Sequence, residues 1–178
     1  MDKAMWVFGY GSLIWDPGFP VSERQLARLS GWHRSFCMRS IHHRGSEAAP
    51  GLVLALDESL GSICAGVAFR VASGAEEATL AALRERELVS SAYLERRLPV
   101  ELASGAEVEA LVYVIDPHHV QYCGGLDLEE QARIIATARG GRGPNRDYLF
   151  ATAAHLEELG IADPDLDWLA ARVRALPG

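Results

Sequence analysis

A change of character near residue 120 restricts the fold of this chain more than any other feature. Up to Asp116-Pro117 the sequence runs in short apolar stretches cut by glycine or proline, and beyond Leu126 it becomes helical in composition. Residues 5–8 form an apolar, aromatic-rich run that stops at glycine and reads as a buried strand. Residues 31–40 are expected to be extended, because Trp32, Arg34, Phe36 and Met38 alternate with His33, Ser35, Cys37 and Arg39. Residues 52–56 and 63–71 are strand-like, with Pro50-Gly51 and Gly61 as punctuation, and 93–102 and 108–115 complete the set. One helix, 75–89, interrupts the strands, and three more are expected at 126–138, 145–159 and 165–176. Strands first and helices last is α+β order, not a βα alternation. Five or six strands in so short a stretch predict a small mixed sheet curled into a β-barrel, with flanking helices.

Composition narrows the function. With 178 residues the chain is read as a single domain, 1–178, with no room for a separate cofactor domain. Its 24 acids against 17 bases give a net charge of −7, which argues against a generic phosphate-backbone binder. Lys3 is the only lysine, so nearly every cation is an arginine able to grip a carboxylate with a planar fork. The three cysteines, Cys37, Cys64 and Cys123, form no C-x-x-C pair, which points to a reducing compartment and a cytoplasmic protein. No apolar run approaches the ~18 residues of a membrane helix. The N-terminal stretch is broken by Gly9 to Ser12 and does not read as a signal-peptide core.

Four segments carry candidate chemistry. Gly9-Tyr10-Gly11-Ser12 places two glycines within three residues, a pattern that either ends a strand or exposes consecutive N–H groups to an anion. It matches neither G-x-G-x-x-G nor G-x-x-x-x-G-K-[ST], so a nucleotide cofactor is unsupported. In the charged run 83–88, helical spacing separates two glutamates. At about 100° per residue Glu87 lies ~20° from Leu80 and ~40° from Leu83, whereas Glu85 points roughly 140° away from Leu80. Glu87 is therefore expected to face the apolar stripe, where burial raises a carboxyl pKa, with an ion pair to Arg84 as the structural alternative. The stretch 24–44 holds five arginines and three histidines without one acid, which suits an anionic small molecule or the acidic remainder of the fold. His42, His43, His118, His119 and Cys123 show no metal-ligand spacing, and neither Cys37 nor Cys123 sits in a thiol-nucleophile motif. Finally, Gly143 to Leu149 reads as a loop and a helix start, with Asn145 as N-cap and Tyr148 either anchoring the helix or facing a pocket.

Taken in order, these segments resemble the ChaC-like γ-glutamylcyclotransferases. The resemblance rests on Val7-Phe8-Gly9-Tyr10-Gly11-Ser12-Leu13-Ile14-Trp15, on His43-Arg44-Gly45 with Pro50-Gly51-Leu52-Val53-Leu54-Ala55-Leu56, on Arg86-Glu87-Leu88 with Ala92-Tyr93, and on Gly143, Asn145, Tyr148 and Leu149. It implies a β-barrel-like sheet with helices around it, and a reaction without cofactor or metal. The family cleaves γ-glutamyl compounds, chiefly glutathione, to 5-oxoproline and cysteinylglycine, using the substrate's own α-amine as nucleophile. Carried over residue by residue, Glu87 would be the general base. Val7, Phe8, Gly9, Tyr10, Gly11, Ser12 and Leu13 would hold the glutamyl moiety, Arg44 or a neighbouring arginine a carboxylate, and Tyr148 would donate a hydrogen bond. The implied partner is a small molecule, and a monomer is compatible with this reading. Ser90-Ser91 stands where many relatives have a glycine-rich turn, a departure that bears on substrate preference. Other γ-glutamyl peptides or amines as substrates, and a non-catalytic binding module, are the alternatives; the presence of Glu87 favours an enzyme.

Overall fold

The computed structural model describes residues 4–88 and 92–177, so Val89 and the Ser90-Ser91 departure lie outside the described residues. The chain divides into two compact units. One runs from the N-terminal segment to Arg34 and adds Leu56–His119; the other combines Ser35–Ala55 with Val120 onward.

In the first unit, β1 (Trp6–Gly9), β2 (Val21–Ser40), β3 (Gly51–Val71), β4 (Tyr93–Leu102) and β5 (Glu107–Ile115) close a barrel in the order β1-β3-β2-β4-β5. β2 and β3 contribute their segments up to Arg34 and from Leu56. Antiparallel pairing sets Trp6 against Arg70 and Gly9 against Val67, and a short parallel ladder from Trp6 and Val7 to Ala110 and Leu111 closes the ring. A sheet closed on itself leaves no unpaired edge. The α+β class, the barrel and the four helices stand as expected. Two strands are longer than periodicity indicated. β2 starts at Val21 because its opening residues, Ser22-Glu23-Arg24-Gln25, are polar on both faces and hide the alternation. The segments 52–56 and 63–71 are one strand, β3, joined through residues 57–62, which are polar apart from Gly61 and the exposed Leu60.

Helix α1 (Glu76–Glu87) packs its apolar stripe on this barrel. Leu83 joins a buried cluster with Val7, Leu13, Val71, Leu111 and Tyr113, against which Leu80 and Leu88 are laid. Leu83, fully buried, stabilises the contact by about 1.5–3 kcal/mol and the partly buried Leu80 and Leu88 by less, enough together to fix the rotation of a three-turn helix.

The second unit is built on α2 (Leu128–Thr137), α3 (Asn145–Glu158) and α4 (Pro164–Ala175), which pack on one another, with a two-residue hairpin of β6 (Arg139–Gly140) and β7 (Gly143–Pro144). Asp127 and Asp163 cap α2 and α4 by accepting from the amides of Glu130 and Leu166. α3 departs from expectation: Pro144 occupies the cap position and Asn145 is the first helical residue. The Asn145 side chain instead accepts from the Leu52 amide and donates to the Leu52 carbonyl, both at 2.8 Å, while fully buried. It behaves as one rung of an additional strand beside β3. Gly51 is required next to it, since a Cβ there would collide with the Arg44 carbonyl and lie 2.7 Å from Asn145 Oδ1.

Candidate active site

The helix spacing places its two glutamates as expected. Glu85 is exposed, whereas the Glu87 side chain, on the last residue of α1, keeps only 16% of its surface in solvent. Burial pushes the Glu87 carboxyl above the ordinary carboxylate range. The Arg86 guanidinium, with Nε 3.5 Å from Glu87 Oε1, opposes that rise but is the weaker influence. The alternative pairing of Glu87 with Arg84 does not form: Arg84 grips Glu95 on β4 as a fork, with both bonds at 3.0 Å.

Arg86 does more than neighbour the glutamate. Its Nη1 donates to the Asp16 carbonyl at 2.8 Å and its Nη2 to Ser12 Oγ at 3.1 Å. One guanidinium thus joins the end of α1 to the turn that follows β1. That turn winds through Ser12–Ile14, with Ile14 N donating to Gly11 O and Asp16 N to Ser12 O, both at 2.9 Å. The leading amides of a helical turn have no acceptor within it, and here they belong to Ser12 and Leu13. Gly9 eases the close approach at this turn, because a Cβ would press to 3.1 Å on Leu13 and 3.2 Å on the Phe69 ring.

Side chains of the signature segment mostly face inward. Val7 and Phe8 are fully buried and Leu13 sits in the same cluster as Leu83, so what this stretch offers a ligand is its backbone. Tyr10 is buried and its hydroxyl donates to the Tyr113 carbonyl at 3.1 Å, while its own carbonyl accepts from the buried Arg34 at 3.0 Å.

A second polar layer escaped sequence reasoning. Tyr113 donates its hydroxyl to Glu95 Oε1 at 2.9 Å, and the Arg84 fork, helped by that bond, holds Glu95 below the usual carboxylate range. The Tyr113 phenol is driven far above its ordinary value, first by burial, then by its bond to Glu95, with the Glu87 charge contributing. The signal was present in the hairpin: β4–β5 register sets Glu95 directly opposite Tyr113, a pairing that becomes visible only once both strands are aligned.

Arg44 and Tyr148 belong to the second unit and the structure brings them together, with the guanidinium 5.7 Å from the ring centre. Arg44 Nη1 donates to the carbonyls of Arg142 and Pro144 at 3.0 and 3.2 Å, bracing the β6–β7 hairpin. The Tyr148 hydroxyl accepts from the Leu54 amide at 3.2 Å and its ring meets Phe36 edge-on, which is the anchoring role.

Residues 5–176 match the family model described as ChaC-like protein. A glutathione-specific γ-glutamylcyclotransferase of Escherichia coli (strain K12) is 38% identical over 98% of this chain and 75% of its own length. Gamma-glutamylcyclotransferase 2-3 of Arabidopsis thaliana is 37% identical over 96% of this chain and 89% of its own. A crystal structure of a yeast γ-glutamyl cyclotransferase specific to glutathione superposes with a TM-score of 0.87 at 22% identity, covering 99% of this chain and 98% of that one, and so shares the fold. Sequence match along nearly the whole length, together with the barrel and its helices, makes this chain a member of the ChaC-like family.

Proposed function

We propose that this chain is a γ-glutamylcyclotransferase that cleaves glutathione to 5-oxoproline and cysteinylglycine. Residues 1–178 act as one catalytic domain in this reading, which the family match over 5–176 supports. The observation that carries it is Glu87: a carboxylate withdrawn from water, with its pKa raised, tethered through Arg86 to the Ser12 turn.

The chemistry asks little of the protein beyond geometry. The substrate's α-amine attacks its own γ-carbonyl, the five-membered lactam closes, and the bond to cysteine breaks. Folding the glutamyl chain makes the attack intramolecular, and well-oriented cyclisations reach effective molarities of about 10⁵–10⁸ M. The amine is a cation at neutral pH, with a reference pKa of roughly 8, and must lose a proton before it can attack. A carboxylate raised toward neutrality matches that task better than one at its solution value. Glu87 takes this proton and returns it to the departing amide nitrogen. The backbone of Gly9 to Leu13 receives the glutamyl group and the developing oxyanion, a role suited to amides fixed by a tight turn. Val7 and Phe8 support that backbone from the core, and Tyr10 is held to it through Tyr113. Arg44, for a substrate carboxylate, and Tyr148, as hydrogen-bond donor, rest on the sequence resemblance. A cytoplasmic setting belongs to the same reading and is supported by three cysteines with no disulfide among them.

The test is direct incubation with glutathione and detection of both products, alongside a panel of γ-glutamyl dipeptides. Glu87→Gln is expected to bind glutathione but lose the roughly 10²–10⁴-fold that a positioned base supplies. Near-normal turnover in that variant would remove Glu87 from the mechanism, and preference for a dipeptide would overturn the glutathione assignment.

A further inference from the structure

The sequence singles out Cys37 and Cys123 only to find no nucleophile motif around them, yet the fold places them opposite one another. Met38 and Tyr122 form an antiparallel bridge, flanked by Arg39 N donating to Gln121 O at 2.7 Å and Cys123 N donating to Cys37 O at 2.8 Å. The Gln121 side chain adds a bond to the Arg39 carbonyl at 2.8 Å. Residues flanking a bridged antiparallel pair face each other in turn, so the partner of Cys37 across the ladder is Cys123. Alternation sends Met38 and Tyr122 to one face and both cysteines to the other. In a regular antiparallel ladder such an opposed pair exchanges two hydrogen bonds and has Cα atoms about 5.5 Å apart, and the Cys123 N to Cys37 O bond is one of those two. That spacing falls inside the roughly 4.4–6.8 Å that a disulfide spans. Both side chains are buried, Cys37 at 2% and Cys123 at 9% exposure.

We propose that Cys37 and Cys123 form a reversible dithiol–disulfide pair that latches the end of β2 to the segment around Tyr122. The oxidant is a small-molecule disulfide. The thiolate of one cysteine attacks it to give a mixed disulfide and release one thiol. The second cysteine then attacks the protein-bound sulfur and expels the other thiol. Two protein thiols become one disulfide, the small disulfide is reduced to two thiols, and the two protons go to those leaving thiolates. Cys123, the less buried of the two, is the point of entry. Burial raises its thiol pKa, opposed in part by Arg39, which slows the exchange by keeping the thiolate fraction low. The latch lies just ahead of Ser40, whose Oγ receives the Arg44 amide at 2.9 Å. It stands on backbone register alone and is independent of the proposed reaction. Cys64 serves as an internal control, its thiol directed to the Ala65 carbonyl at 3.7 Å.

The experiment uses the full chain, equilibrated with oxidised glutathione as the probe disulfide and approached both from the folded reduced protein and by refolding in the same buffer. Thiols are then alkylated under denaturing conditions and the peptides mapped. The expected result is one alkylatable cysteine, Cys64, a peptide joining Cys37 to Cys123, and a Tm several degrees above the reduced form that dithiothreitol restores. Cys64→Ser should oxidise like the wild type. Three alkylatable cysteines from both directions, a stable mixed disulfide on Cys37 or Cys123, or a cross-link through Cys64 would each overturn the proposal.

Discussion

Replacing Asn145 with alanine separates a structural role from a catalytic one within the motif Gly143-Pro144-Asn145-Arg146-Asp147-Tyr148-Leu149. Asn145 is fully buried and brackets Leu52, satisfying its N–H and its C=O with two bonds of 2.8 Å. Truncation strands both backbone groups in a site where Leu52 itself has no exposure. An unsatisfied buried group costs about 1–3 kcal/mol, so the pair predicts a loss of roughly 2–6 kcal/mol. At about 2–4 °C per kcal/mol for a chain of this size, Tm should fall by roughly 4–24 °C. Thermal melts followed by circular dichroism measure this directly. Asn145→Asp sharpens the test, because a protonated carboxyl can both accept from Leu52 N–H and donate to Leu52 C=O, whereas a carboxylate can only accept. Burial raises the folded-state pKa of such an aspartate above its unfolded value, so its stabilising contribution is present at low pH and lost as pH rises through the folded pKa. The gap between Asn145→Asp and wild type should therefore narrow on acidification. An Asn145→Ala protein melting within about 2 °C of wild type would refute the bracket as a source of stability.

Arg86→Gln removes the cation 3.5 Å from Glu87, which holds its pKa down against burial. A partly exposed pair of this kind contributes up to about 1 kcal/mol, so its loss should move the acid limb of the kcat/KM profile to higher pH; an unmoved limb would dissociate Arg86 from the base. Glu85→Gln lies on the exposed face and should leave both kcat and Tm unchanged, and lost activity would mean the helix phase is misread. Glu87→Gln should melt at a higher temperature than wild type near pH 8 and at the same temperature near pH 4, because a carboxyl raised by burial destabilises the fold only where it is ionised. Gly51→Ala should lower Tm and do so non-additively with Asn145→Ala, since the added methyl meets Asn145 Oδ1 and the Arg44 carbonyl.

What was legible in the sequence was whatever periodicity or local chemistry encodes. The phase of α1 followed from Leu80 and Leu83, and with it the contrast between Glu85 and Glu87. β4 was read to its observed ends, Tyr93 and Leu102, because apolar patterning and turn residues agree there. The start of β2 is hidden because its opening residues, Ser22 to Gln25, are polar on both faces. Asn145 was misread as a cap for a related reason: an asparagine at a helix start satisfies local rules, and nothing local announces that Leu52 is waiting beside it. Arg84 and Arg86 could not be told apart by composition either. Their partners, Glu95 and Ser12, lie on other elements and meet them only through the packing of α1 on the barrel.

Glu87 is the last residue of α1, and that address has a consequence of its own. A helix carries partial negative charge at its C-terminus, where cations are welcome and anions are not. Most of α1 obeys this rule, with Glu76 and Glu77 in the first turn and Arg84 and Arg86 in the last, although the exposed Glu85 shares that last turn. Glu87 breaks it. The peptide dipoles behind it resist its ionisation and make the carboxylate a stronger proton acceptor than its burial alone would. The basicity of this one group is thus coupled to the integrity of the last turn of α1, and any change that frays that turn is expected to weaken the base without touching it.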